Sequence, residues 1–259
     1  MIYRISISLV LLFCVGLQAK PLIFATGDWR PYIFEKNDTL DVNHPGFSIE
    51  IVDRVFAKLG YQITYKTPPF SRQLVDTERG VYAALVGLIV SDAPDFIYPT
   101  ESVGQINNCF YTRNGNEWKF NGIPSLDSVN LGVINSYSYG VIDDYVGQNR
   151  TGNVIAISGS EENMLERLFS MLEAGRIDVV IDDSSVVTHY LKSASLTDQF
   201  QVVGCLGAVS AMIGFSPALP ESKELAQKFS LGVQELRHSG ELQEILNKYG
   251  IVDWKSSNE

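Results

Sequence analysis

Between Leu22 and Val90 the chain switches repeatedly between the hydrophobic period of a strand and that of a helix, a pattern few folds accommodate. Leu22 to Thr26 reads as a strand. From Ser48 to Leu59, the residues Ile51, Val52, Val55, Phe56 and Leu59 fall on one helical face, and Gly60 is placed to end that helix. Tyr61 to Lys66 is a second strand, with Ile63 and Tyr65 on one side and Gln62, Thr64 and Lys66 on the other. Arg72 to Glu78 fits a short helix, and Ala83 to Val90 is an apolar run suited to a central strand. The order β-α-β-α-β implies a parallel sheet with right-handed crossovers.

A similar series restarts after the polar, turn-rich stretch Asn114 to Asn130. Leu131 to Ile134 is a short strand. Ser158 and Glu161 form a capping box for a helix that turns Met164, Leu165, Leu168, Met171 and Leu172 inward and ends at Gly175. Asp178 to Ile181 is a further strand. Val186, Val187, Tyr190 and Leu191 mark the apolar face of another helix. Two closing helices run from Glu221 to Arg237 and from Glu241 to Tyr249. Two α/β lobes follow from this order, and no Gly/Ser-rich or Pro-rich linker locates the hinge between them.

The N-terminus sets the expected compartment. Arg4 precedes an apolar stretch from Ile5 to Leu17, and Leu17-Gln18-Ala19 supplies a small residue before a cleavage point, the order of a secretory signal peptide over residues 1–19. That run is short for a bilayer span, which needs about 20 residues. The net charge of −10 disfavours nucleic acid or anionic lipid as partners, because their capture requires dense Lys and Arg. Beyond the leader, Cys109 and Cys205 remain, a candidate disulfide in an oxidising compartment, with two separate buried thiols as the alternative.

Several catalytic signatures are missing. The three histidines, His44, His189 and His238, are far apart and lack HExxH spacing, so no metal site is expected and each reads as a surface or packing residue. Gly214-Phe215-Ser216-Pro217-Ala218 lacks the final glycine of a nucleophile elbow, and Pro217 interrupts the required helix start. Walker A, dinucleotide-glycine and SxxK patterns are absent as well. No cofactor is expected.

Four segments carry a resemblance: FATGDWRPYIFE (24–35), GFSIEIVDRVFAKLG (46–60), GRIDVVIDD (175–183) and SGELQEILNKYG (239–250). In their order and spacing they resemble the family-3 extracellular solute-binding proteins, the polar amino-acid binders of bacterial ABC importers, over nearly the whole chain after the leader. The resemblance implies a type II periplasmic-binding-protein fold, two α/β lobes joined by a two-strand hinge. Lobe 1 would comprise residues 20–102 and 215–259 and lobe 2 residues 103–214, with the last two helices packed on lobe 1. Cys109 and Cys205 would then both lie in lobe 2 and be bonded there, with Cα atoms roughly 4.4–6.8 Å apart.

The implied ligand pocket lies between the lobes at the carboxyl ends of strands. Trp29 corresponds to an aromatic that covers the ligand and Phe70 to a second aromatic wall, faces able to hold a cationic amine. Asp183 corresponds to the acid that pairs with the ligand amino group, or else caps the helix after it. Asp182 is expected to point away, since neighbouring side chains diverge. Relatives place Thr-x-x-Arg after the third strand, and the arginine grips the ligand carboxylate. Here the loop reads Ser91-Asp92-Ala93-Pro94-Asp95, with Ser91 at the threonine and Pro94 at the arginine. Arg72, two residues after Phe70, is the candidate replacement. In lobe 2 the usual Gly-Thr-Thr turn becomes Ser136-Tyr137-Ser138, ahead of a helix start whose free N–H groups suit a carboxylate, with Ser138 adding a hydroxyl.

The resemblance implies a monomeric, non-enzymatic periplasmic protein that closes on a small polar ligand and hands it to an ABC importer permease or a membrane sensor. Two alternatives remain open. One is an enzyme on the same fold resembling cyclohexadienyl dehydratase, which needs a cleft acid (Asp92, Asp95 or Asp183) and cations for its substrate's carboxylates. The other is an orphan sensing protein with no transporter.

Overall fold

Alternation along the first strand decides how the first lobe is layered. In β1 (Lys20–Ala25), Phe24 packs into a helix-covered core on one face of the sheet, and Ala25 faces a second, smaller core on the other. A two-residue hairpin, β2 (Glu35–Lys36) with β3 (Thr39–Leu40), precedes α1 (Phe47–Lys58), whose buried residues include Ile51, Val52, Val55 and Phe56. Leu59, expected on that face, is instead the C-cap residue and is 39% exposed. Next come β4 (Tyr61–Lys66), α2 (Phe70–Glu78) and β5 (Ala84–Leu88). The apolar run to Val90 stops being strand at Leu88, because Val90–Asp92 forms a 3-10 turn and Asp92 Oδ2 accepts the Ile89 N–H at 3.0 Å.

The chain continues through β6 (Gly104–Ile106), β7 (Asn108–Arg113), β8 (Leu131–Ile134), α3 (Asp143–Gln148), β9 (Val154–Ile157) and α4 (Glu161–Glu173). It ends with β10 (Val179–Asp183), α5 (Ser184–Ser193), β11 (Phe200–Cys205), β12 (Val209–Phe215), α6 (Ser222–Ser239) and α7 (Glu241–Asn247). The computed structural model describes residues 20–135, 137–158 and 161–255; the leader of residues 1–19, Ser136, and the capping box that needs the Glu161 side chain lie outside the described residues.

Two five-stranded sheets result, one per lobe. The first has the order β4-β1-β5-β12-β6, with β1 parallel to β4 and β5, and β12 antiparallel to both β5 and β6. The second has the order β11-β7-β10-β8-β9, with β8 parallel to β9 and β10, and β7 antiparallel to both β10 and β11. The parallel strands are those expected from the β-α alternation. The antiparallel additions make each sheet mixed, and β6 and β12, which fall almost wholly within residues 103–214, are hydrogen-bonded into the first sheet.

Chain passes between the sheets at two adjacent places, Ile106 to Asn108 and Cys205 to Val209. Val209 pairs with Ile106 on the lobe 1 side, and Cys205 pairs with Cys109 on the lobe 2 side. The two cysteines are bonded, and their Cα atoms are 3.9 Å apart, closer than the expected range. The reason is register: they sit directly opposite each other on antiparallel strands, where side chains already face one another. The disulfide therefore ties the two crossing segments together where they enter the second sheet.

Helices α6 and α7 cover α1 in the core of the first lobe through Phe229, Val233, Leu236, Leu242, Ile245 and Leu246. In the second lobe α4 and α5 cover one face through Leu165, Leu168, Leu172 and Val187, while Phe110, Leu131, Val133 and Ile181 fill the other. The alternating cores on β10 put Val180 on the α4/α5 side and Ile181 on the opposite side, which fixes where the next two residues point.

Candidate ligand-binding site

Both sheets aim the carboxyl ends of parallel strands at one cavity of about 200 Å³. Beyond β1, the lobe 1 wall is Asp28, Trp29 and Arg30. Beyond β8 and at the end of β10, lobe 2 contributes Ile134, Tyr137 and Asp182, with Leu165 from α4 and Val186, His189 and Tyr190 from α5.

Trp29 is held by its own backbone, which exchanges two 2.9 Å hydrogen bonds with Ile33. Its ring stacks on Tyr32 with centroids 4.0 Å apart and planes 11° from parallel. Behind it lies Gly87, at φ +90°, where an added Cβ would fall 2.9 Å from Ile33 Cδ1 and 3.3 Å from Trp29 Cε3. Only glycine lets β5 pass so close. Gly87→Ala is expected to push the indole out of its stack and to cost about 1–3 kcal/mol through strain and overpacking, read as a lowered Tm and an altered near-UV tryptophan signal.

Arg30 is fixed beside Trp29. Its Nε lies 3.1 Å from Asp28 Oδ1, its Nη2 donates to Glu35 O at 2.9 Å, and its guanidinium covers the Phe34 ring at 5.5 Å. Asp28 Oδ1 also accepts the Glu35 N–H at 2.7 Å, so this acid and base brace one another. His189 packs edge-on against Phe34, and its imidazole is held below its usual pKa by burial and then by Arg30 and His44, which keeps it neutral at pH 7.

The two neighbouring aspartates divide the work differently from the expectation. Asp183 is 3% exposed and its carboxylate is already occupied. Oδ1 accepts the N–H groups of Ser185 (3.0 Å) and Val186 (3.1 Å), capping α5, and lies 3.2 Å from the Tyr32 hydroxyl; Oδ2 accepts the Asn107 N–H at 2.8 Å. Tyr32 also donates to Gln105 O at 2.6 Å, so this carboxylate joins lobe 1, the hinge and lobe 2. Asp182, expected to turn away, lines the cavity instead. Strand alternation places it on the face of Val180 and Ile134, at the open end of that core. Burial raises its pKa to about 7, with the Asp183 charge adding to the rise and the Asp183 N–H at 2.7 Å opposing it.

Of the other expected residues, Tyr137 lines the cavity and is 40% exposed. The Ser138 hydroxyl donates to Asp143 Oδ2 at 2.7 Å, and Asp143 Oδ1 accepts the Tyr139 N–H at 2.6 Å, so a carboxylate of the chain already serves the turn. The helix that follows, α3, has six residues. Phe70 is 44% exposed at the start of α2, and the Arg72 side chain is 72% exposed with Nε 3.3 Å from Asp76 Oδ2, one helical turn on. Ser91 is exposed in the 3-10 turn after β5. None of these three lines the cavity. Sequence reasoning missed Asp28, Arg30, Asp182 and His189; the Val180-x-Asp182 spacing on a strand was the available signal for the third.

A larger cavity of about 300 Å³ lies on the hinge side of His189, between α5 (Ser184 and Ser185 at its start, Lys192 at its end) and the C-terminal segment (Tyr249, Ile251, Trp254).

Two lobes with mixed sheets, two crossing segments and an interlobe cavity define the class: the fold is that of the periplasmic solute-binding proteins. No family model matches the chain. The arginine-binding extracellular protein ArtP of Bacillus subtilis (strain 168) is 24% identical over 233 residues, 89% of this chain and 86% of that protein. Among solved structures, the probable amino-acid ABC transporter extracellular-binding protein ytmK of Bacillus subtilis superposes with a TM-score of 0.68 at 16% identity, covering 91% of this chain and all (100%) of that one. An ancestral arginine-binding protein bound to arginine gives 0.67 at 18% identity, covering 90% and 99%. A histidine kinase sensor domain with similarity to periplasmic binding proteins gives 0.66 at 17%, covering 90% and 97%.

Proposed function

We propose that this protein is a family-3 extracellular solute-binding protein, working outside the cytoplasm after removal of residues 1–19. It captures a small polar ligand, an amino acid or a related amine, and presents it to an ABC importer or a membrane sensor. The observation that carries the reading is the interlobe cavity, in which Trp29 of one lobe faces Tyr137 and Asp182 of the other. The whole-length similarity to an arginine-binding extracellular protein and to amino-acid-binding folds supports it. Closure of the lobes would exclude water and strengthen each polar contact inside. Trp29, Tyr137 and Asp182 are the ligand contacts of this reading. Phe70, Arg72 and Ser91 join the site only if closure carries their segments to it.

A thermal-shift screen against amino acids, small peptides, polyamines and organic acids tests the reading. A cognate ligand at 100 times its dissociation constant is expected to add about 2.7 kcal/mol of stability, and Trp29→Ala to abolish that gain while leaving the unliganded protein folded. A shift that survives in Trp29→Ala would move the ligand out of this cavity.

A further inference from the structure

We propose that the site takes an organic cation whose charge is received by Asp182 rather than by Asp183, and that the ligand needs no carboxylate clamp. The inference rests on the solute-binding reading and names the ligand class.

Three observations carry it. The Asp183 carboxylate is buried under a helix cap, a hinge N–H and the Tyr32 hydroxyl, and it does not line the cavity. Asp182 lines the cavity with Trp29, Tyr137 and Tyr190, rings of the kind that stabilise an ammonium or guanidinium over their faces. On the anion side, Pro94 stands in place of the clamp arginine, the Arg72 side chain lies along its own helix towards Asp76, and Arg30 is engaged by Asp28 and Glu35 O. Among the described residues of the cavity wall, the carboxylate of Asp182 is set among aromatic rings, whereas the guanidinium of Arg30 is already held by Asp28 and Glu35 O.

A proton follows from the same geometry. The titratable and charged groups around Asp182 are Asp183 on its own strand, Tyr111 of β7, Tyr139 after β8, Tyr32 of lobe 1, His189, Tyr137 and Tyr190 on its own wall of the cavity, and Asp28 and Arg30 across it. No ion pair to Asp182 occurs among the described residues. With its pKa at about 7 the acid is part-protonated at neutral pH, and a bound cation would drive that proton off. Binding then tightens as pH rises to 7 and levels off above it.

The experiment uses agmatine and L-arginine, which differ by the carboxylate, with glutarate and L-glutamine as anionic and net-neutral probes, read by calorimetry at pH 5.5 and 8. The expected result is agmatine bound within about threefold of arginine, about 30-fold weaker at pH 5.5 than at pH 8, with proton release seen as a buffer-dependent heat. Asp182→Asn should weaken both cations roughly ten- to a hundred-fold and abolish the pH dependence. Asp183→Asn should lower Tm while leaving the pH dependence in place. Unchanged agmatine affinity in Asp182→Asn, or binding of arginine but not agmatine, overturns the proposal. Binding of glutarate or glutamine alone overturns it too but leaves the solute-binding reading standing. Silence of all four probes overturns the cation assignment, and only a failed wider screen would count against solute binding itself.

Discussion

Arg237→Met is expected to destabilise the protein by about 3 kcal/mol, a fall in Tm of roughly 6–12 °C, although the side chain is far from the cleft. Glu101 is 2% exposed and is surrounded by donors: Arg237 Nη1 at 3.0 Å, Gln234 Nε2 at 3.1 Å and Lys255 Nζ at 2.7 Å. Arg237 also holds Asp253 of the C-terminal segment through Nε at 2.7 Å and Nη2 at 3.3 Å. Removing the guanidinium leaves a buried carboxylate short of a partner, which costs far more than an exposed ion pair contributes; Lys255 keeps the loss near the lower end. Burial alone would raise the Glu101 carboxyl, but Lys255, Gln234 and Arg237 outweigh it and hold it below the usual carboxylate range. A depressed folded pKa contributes stability that is present above the unfolded value and lost as pH falls through the folded one. The gap between Arg237→Met and the parent should therefore be full at pH 7 and shrink in acid, as measured by urea unfolding at each pH. An unchanged gap at pH 3 would show that the lost term is packing, not charge.

Cys109→Ala/Cys205→Ala is expected to lose about 4 kcal/mol, most of it through the unfolded chain. The bond joins residues separated by 96 positions, and a closed loop of that length restricts the denatured ensemble by roughly 4–5 kcal/mol in the chain-entropy treatment. The native backbone should barely move, because the two positions remain partners in the β7/β11 ladder without the sulfurs. Chemical denaturation with and without reductant gives the number. Loss of the native circular dichroism spectrum in the double variant before any denaturant is added would mean that the bond holds the ladder itself.

The strands and helices with strong periods were legible in the residues. Ile51, Val52, Val55 and Phe56 are buried on α1, and β4 alternates as Ile63 and Tyr65 required. Strands β6, β7, β9, β11 and β12 were harder to read, because their short runs gain definition only from partners that are distant in sequence, such as Val209 against Ile106. Trp29 and Tyr137, singled out through the family resemblance, both line the interlobe cavity. That Asp182, and not Asp183, lines the cavity was not legible in the sequence. Two adjacent acids look alike in a sequence, and which faces the cavity depends on which core Val180 and Ile181 fill. Gly87 gave no signal either, since its value lies in the indole behind it.

The placement of β12 between β5 and β6 has a consequence for how the molecule is made. The second sheet uses one continuous stretch, from Asn108 to Cys205, and can assemble as soon as that stretch has emerged from the ribosome or a translocation channel. The first sheet cannot: β5 has one ladder edge unmatched until residues 209–215 arrive, and α1 has no cover until α6 and α7 follow. Completion of the first lobe is thus a late, long-range step, slow because its ends must meet across most of the chain. During that interval an open β edge and an uncovered apolar face are on offer to other chains, the situation in which a holding chaperone is most useful.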